Sequence, residues 1–290
     1  MSTDANLRER LEGHLRELPV LPSVVVKLLR LNRDDEDYPD EVIATVESEP
    51  NFSTQVMAAA NSAASSPLAP ITTIAAAVTR IGADYAANLV VSSGVTRVFV
   101  PRDSWDRSLW RHALQVASAA KAVCGHITGV RVNPDEAYTA GLLHDVGRFV
   151  MFQEAPERLR QIDEGNWEGP EDLTEIEKSI CGVNHAELGA IACEQWGIPD
   201  LIGQVVLHHH DRNLPPEALL TSVVRFADLA MFPSARPDRS GYAEAEEETV
   251  WQELHTRIPP NVSLDARRLH ALIQDVTERT EHISQALGIG

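Results

Sequence analysis

Seven side chains able to ligate a metal run along the middle of the chain in one order: His112, His144-Asp145, His185, His209-His210 and Asp228. Imidazole nitrogens mixed with carboxylate oxygens, with no thiolate among them, suit a divalent Fe, Mn, Ni or Zn ion, and an aspartate between two ions can bridge them. A fold that gathered these seven would hold one or two metals of the catalytic kind.

Each residue also has a purely structural reading. His112 shares a predicted helix face with Val116 and Ala119, at offsets of four and seven, where a buried histidine needs no metal. His144-Asp145 follow the apolar stretch 140–143 and precede Gly147, a residue that weakens a helix unless something requires close backbone approach. A buried Asp145 would need a cation or several donors to offset its desolvation. His185 opens a helix, where an exposed histidine beside the cap fits equally well. His208-His209-His210-Asp211 closes an apolar helix, and the pairs Val205/His209 and Val206/His210 continue its apolar faces. Asp228 lies in SVVRFADLAMF, where an ion pair with Arg225 at i−3 is the competing account. For the pattern to be accidental, all of these structural readings must hold together.

The elements that must position these side chains are helical. Period-3.6 patterning dominates, and alternating β-branched runs are almost absent, so the sequence predicts an all-α protein. Helices are expected within residues 18–32, 41–48, from a cap at Asn51, up to Gly82, and over 83–99. The polar break at 101–104 separates a first helical subdomain (1–103) from a second (104–230), followed by a helical extension (231–290). In the second, Asn133-Pro134 starts a helix expected to run unbroken through AYTAGLLHDVGRFVMF. A loop is expected over 164–172, then helices stopping at Gly197, starting at Pro199, starting near Pro216, and covering 264–287.

A 43% hydrophobic composition over 290 residues supplies a sizeable core. The formal net charge of −18 opposes the phosphate backbone, so direct nucleic-acid binding is not expected. The acidic stretches 34–41 and 243–248 read as solvated, and the first lacks the glycine and ligand spacing of a calcium loop. No run of 18 apolar residues exists and the N-terminal pattern is charged, so no membrane association and a cytoplasmic location are expected. Cys124, Cys181 and Cys193 lack CxxC spacing and read as buried free thiols.

The segments LPVLPSVVVKLL, AAANSAAS, ITTIAAAVTRIG, WRHALQVA, AGLLHDVG, GVNHAELGAIACEQWGIP and HHHD together resemble the HD superfamily of metal-dependent phosphohydrolases, and more closely its HDOD branch of bacterial signalling output domains. The resemblance covers roughly residues 15 to 230. Aligned from Trp196, the family's HH pair falls on His209 and His210 and its trailing AD on Ala227-Asp228, which leaves His208 a bystander. The resemblance implies two all-helical halves, the second HD-like, and a signalling role through a protein partner or a nucleotide second messenger. Many family members have lost the ligands, whereas this sequence keeps them. The cyclic di-GMP phosphodiesterases of the HD-GYP branch carry Gly-Tyr-Pro after HHE, where HHHD here runs into RNLPP; they have Lys in place of Arg148 and some have Glu in place of Ser108. A cyclic di-GMP activity is therefore not expected.

The resemblance implies His112, His144, Asp145 and Asp228 around one ion, with Asp145 bridging to a second held by His185, His209 and His210. Asp145 and Arg148 are then the residues expected to act in catalysis, Arg148 as a phosphate contact. A surface ion pair of Arg148 with Glu154 or another acid is the alternative. Two functions follow from different classes: a regulatory binding module with a metal site, or a metal-dependent phosphodiesterase or phosphohydrolase acting on a nucleotide or other phosphoester.

Overall fold

The computed structural model describes residues 5–17, 21–62, 70–165, 167, 170–231, 254, 257–259 and 261–286. Among them the protein is all-α, as its periodicity predicts. Among the described residues the only extended pairing is an isolated bridge between Ile127 and Val262. The helices in chain order are α1 (Ala5–Glu17), α2 (Ser23–Arg30), α3 (Tyr38–Glu47), α4 (Pro50–Ala60), α5 (Ile74–Ile81), α6 (Ala83–Val98), α7 (Ser104–Cys124), α8 (Pro134–Leu143), α9 (Val146–Glu154), α10 (Pro156–Asp163), α11 (Pro170–Cys181), α12 (His185–Gln195), α13 (Asp200–His208), α14 (Leu219–Met231) and α15 (Ala266–Ala286).

Two compact units result. One contains α2–α6 with residues 196–199; the other contains α1, α7–α14 and α15. Boundaries at 103 and 230 follow the chain, whereas these units follow packing: α1 and α15 both cluster with the helices that carry the ligands.

In the smaller unit the apolar faces of α2–α6 bury Val25, Leu28, Val42, Val46, Phe52, Val56, Val78, Val90 and Val91. Gly82 takes φ 90° and closes α5 where the sequence predicts its end. The chain bends there by 104°, so α5 and α6 do not form a continuous span. No single helix among the described residues is long and apolar enough to cross a membrane. The expected cap at Asn51 is corrected: α4 starts earlier, with Pro50 at its first position and Glu49 before it. Proline fits there because the first-turn amide it lacks would have no helical partner.

The larger unit is organised around α7. Asp103 caps it in a reciprocal capping box with Asp106, and its buried residues Trp110, Ala113, Leu114, Ala117 and Ala120 form the centre of the core. Helices α8, α14 and α15 pack on it. Trp110 stacks against Phe149 of α9 with ring centroids 4.4 Å apart. Asn133 caps α8, its side chain accepting from the amides of Asp135 and Glu136, with Pro134 at the first position. The single helix expected through residues 137–152 is instead two, α8 and α9, broken at His144-Asp145. Cys124, Cys181 and Cys193 are free thiols, the last two buried. The acidic stretch 243–248 lies outside the described residues, as do residues 63–65 of AAANSAAS and residues 166, 168 and 169 of the expected loop.

Candidate metal centre

The break between α8 and α9 is what makes the site. An unbroken helix would present His144 and Asp145 about 100° apart on its surface. Ending α8 at Leu143 and restarting at Val146, with Asp145 at φ −98° and ψ 17°, turns both side chains toward one point. His144 Nδ1 donates to the Gly141 carbonyl at 2.7 Å, which leaves its Nε2 facing the centre.

Close approach of α9 to α12 brings in the second set of donors. A Cβ on Gly147 would lie 2.0 Å from the His185 carbonyl oxygen, and one on Gly189 would lie 3.2 Å from the Gly147 amide nitrogen. Glycine at both positions lets the backbones touch and places His185 Nε2 3.2 Å from Asp145 Oδ1. The sequence reading of Gly147 as a site of close backbone approach has this physical basis.

His112 comes from the buried face of α7, Asp228 from α14 packed against it, and His209-His210 from the turn that ends α13. All seven expected residues converge. One set of ligand atoms, from Asp145, His185, His209 and His210, lies within 4.8 Å of one another, and so does a second set from His112, His144 and Asp228. Asp145 faces both: its Oδ1 lies 3.2 Å from His185 Nε2 and 3.9 Å from His209 Nε2, while its Oδ2 lies 3.4 Å from His144 Nε2 and 3.8 Å from His112 Nε2. Asp228 Oδ1 is 3.0 Å from His112 Nε2 and 3.7 Å from His144 Nε2. Arg225, the alternative partner for Asp228, donates to the Arg212 carbonyl. His208 stands apart, partly exposed, paired with Asp211 at 2.8 Å.

The donors fit a divalent ion. His144, His185 and His209 each commit Nδ1 to an oxygen acceptor, respectively the Gly141 carbonyl, Glu177 and the Val206 carbonyl, and each turns Nε2 inward. This is the outer-shell arrangement that fixes a ligating histidine. His185 Nε2 lies 2.9 Å from His210 Nε2 and 3.3 Å from His209 Nε2. Ligands sharing one ion at about 2.1 Å, at right angles, would be about 3.0 Å apart, so this crowding of lone pairs matches a common cation. His144 Nε2 is buried and makes no hydrogen bond.

Electrostatics favour the ligating forms of five donors, while His185 is the exception: burial lowers it, but Glu177 and Asp145 outweigh burial and raise it. Burial, then neighbouring imidazoles, pushes His209 down to about 3 and His210 well below its ordinary value, and burial lowers His144. These three are neutral at physiological pH, with lone pairs available. Burial alone would raise Asp145 and Asp228, but surrounding imidazoles, and Arg148 for Asp145, outweigh it and keep both as carboxylates.

Arg148 is buried rather than at the surface. It donates to Asp163, and its Nε lies 3.9 Å from Glu177 Oε1. Glu154, the acid considered for it from sequence, pairs instead with Arg10 at 2.5 Å. Burial would lower Arg148, but Asp163, Asp145 and Glu177 together raise it.

Two site residues escape the sequence reading: Glu177 and Asp163. Glu177 is fully buried, and its Oε2 accepts from His185 Nδ1 at 2.6 Å and from the His185 amide at 2.9 Å. A signal was present, since Leu173, Glu177 and Cys181 share one buried face of α11 at i,i+4 spacing. An acid on such a face demands a partner.

Comparison with known proteins agrees with this fold. A curated relative, an uncharacterized protein of Treponema pallidum, is 26% identical over 229 residues, covering 78% of this chain and 44% of its own. The chain thus spans less than half the length of that relative. Among solved structures, an HDOD domain protein of unknown function from Geobacter sulfurreducens superposes with a TM-score of 0.74 at 22% identity, covering 96% of this chain and 98% of that one. A proposed signal transduction protein from Marinobacter aquaeolei gives 0.69 at 21% identity, over 98% of this chain and 66% of that one. A proposed metal-dependent phosphohydrolase from Shewanella amazonensis gives 0.57 at 21% identity, over 96% of this chain and 100% of that one. At these identities the likeness is one of fold. The HDOD domain model matches residues 18–212, ending before Asp228, which the sequence reading includes and the geometry brings to the site. This chain belongs to the HDOD domain family.

Proposed function

We propose that the chain is a signal-transduction output module of HDOD type that binds one or two divalent ions at the His112–His144–Asp145–His185–His209–His210–Asp228 centre and reports a bound protein or nucleotide signal. The observation that carries this reading is the convergence of seven donors, six buried and His210 partly so, with the two oxygens of Asp145 turned toward opposite ligand sets. Fe, Mn, Ni and Zn all suit such nitrogen and oxygen donors. The solved relative described as a proposed signal transduction protein supports the signalling part.

The orientation of Asp145 also favours a second reading, hydrolysis of a phosphoester. Bound divalent ions would supply Lewis acidity and a metal-activated water at neutral pH. Two ligand carboxylates, Asp145 and Asp228, neutralise one divalent ion, so anion attraction at the centre requires two. Arg148 is already paired with Asp163 and Glu177, which leaves the centre less positive charge for a polyphosphate. A phosphodiester or monoester of low charge fits that balance better.

The test is turnover of bis(p-nitrophenyl) phosphate and p-nitrophenyl phosphate by protein loaded separately with Mn2+, Fe2+, Ni2+ and Zn2+, beside the Asp145→Asn variant. Turnover lost in the variant establishes hydrolysis. Stoichiometric metal with no turnover leaves the signalling module, and absence of metal under every loading condition overturns both.

A further inference from the structure

Beyond the seven donors, α9, α10 and α11 bring three charged side chains together behind His185. Arg148 on α9 donates to Asp163, the last residue of α10, and faces Glu177 on α11 across 3.9 Å. Glu177 in turn spans both donors of His185, its backbone amide and its Nδ1. All three elements converge on the imidazole that lies closest to Asp145 Oδ1.

We infer that Glu177 is the positioning residue of this centre: with Arg148 as its counter-charge, it locks His185 in the Nδ1–H form with Nε2 turned to the metal. The inference rests on the metal-binding reading above and deepens it.

The geometry carries the argument in three steps. A neutral imidazole has one N–H and one lone pair, and the partner of one nitrogen decides which is which. A carboxylate has no hydrogen to give, so at 2.6 Å it selects the Nδ1–H form, and only that neutral form directs a lone pair from Nε2. The second hydrogen bond, from the His185 amide to the same oxygen, ties the ring's orientation to the start of α12. A ring held at one nitrogen alone would swing about its χ angles; here backbone and ring share an anchor.

Arg148 has the complementary task. Glu177 is fully buried, and a buried carboxylate without a counter-charge is strongly destabilising. The guanidinium supplies that counter-charge across 3.9 Å while Asp163 accepts from its other side, so the Arg148 charge serves the scaffold of the site rather than a substrate phosphate. This assignment replaces the phosphate contact expected from sequence.

The experiment compares wild type with Glu177→Leu, which removes the acceptor, and Glu177→Gln, which keeps an acceptor but removes the charge. Two quantities are read: the His185 tautomer, by long-range 1H–15N correlation on metal-free, 15N-histidine-labelled protein at pH 8, and Zn2+ affinity, by chelator competition. His185 is expected as the Nδ1–H form in wild type and Glu177→Gln, and mixed or reversed in Glu177→Leu. Zn2+ affinity is expected to fall on the order of 10–100-fold in the leucine variant and less in the glutamine variant. A merely structural Glu177 would lower the melting temperature of both variants while leaving tautomer and affinity unchanged in the folded protein, and that result overturns the inference. If the leucine variant does not fold, a folded glutamine variant with wild-type affinity overturns it equally. Wild type that binds no Zn2+ defeats the metal-binding reading instead, and the tautomer comparison still decides the role of Glu177.

Discussion

The Cα of Gly147 approaches the carbonyl of His185 so closely that a Cβ at residue 147 would lie 2.0 Å from that oxygen. This one contact joins α9, which follows Asp145, to α12, which begins with His185, and so sets the distance between two ligand groups.

Gly147→Ala should therefore push α9 and α12 apart. Overpacking of this kind costs roughly 1–3 kcal/mol, measurable by urea denaturation of the metal-free protein, and metal affinity should drop with it. Unchanged stability together with unchanged affinity would show that the helices separate without disturbing the centre.

His208 and His209 are neighbours in sequence with opposite environments. His209 is fully buried and turned toward Asp145, whereas His208 is partly exposed and paired with Asp211. His208→Ala should retain wild-type metal content, and His209→Ala should lose it. Elemental analysis of the two purified variants separates them, and equal loss in both would contradict the ligand assignment.

Acid should destabilise the metal-free protein. In the unfolded chain these histidines take up protons as pH falls below about 6.5, but in the folded protein His144, His209 and His210 resist protonation, His209 down to about 3. The unfolded state then binds more protons, so stability is full above pH 6.5 and declines from there toward pH 3. Burial lowers His185 as well, but Glu177 and Asp145 outweigh it and raise His185, which acts in the opposite direction. Three groups oppose one, so thermal melts should show a lower midpoint at pH 5 than at pH 7.5. A higher midpoint at pH 5 would mean that the imidazoles are not held neutral.

Asn133 caps α8, the helix that ends immediately before His144. Asn133→Ala should cost about 1 kcal/mol of stability and leave metal content intact, because the cap lies a full helix away from the ligand. Chemical denaturation beside metal analysis checks both parts, and metal loss at unchanged stability would go against it.

Much of the site is legible in the sequence because its donors are polar side chains set in apolar stretches, where each has a structural reading alone but all seven together do not. Asp145 between Leu143 and Val146, and Asp228 between Ala227 and Leu229, stand out for this reason. The break at His144-Asp145 is not legible: apolar residues recur on both sides without a proline, and Gly147, which signals a close backbone approach, lies inside α9 rather than at the break. The start of α4 is readable, since Pro50 prefers the first helical turn, but Asn51 is the stronger cap by type and draws the expected cap two residues too far. Glu177 shows a third kind of gap. Its position on the apolar face of α11 is visible, yet its partner His185 is eight residues away in another helix, so its role appears only when the two are packed together.

The central claim, that the seven side chains form a metal centre, is tested most directly by the metal content of untagged protein measured by inductively coupled plasma mass spectrometry, with His144→Ala and Asp145→Ala beside it. The account predicts Fe, Mn, Ni or Zn at one to two ions per chain in the wild type and loss of that metal in both folded variants. Wild-type protein that carries none of these metals, even after reconstitution, would contradict it.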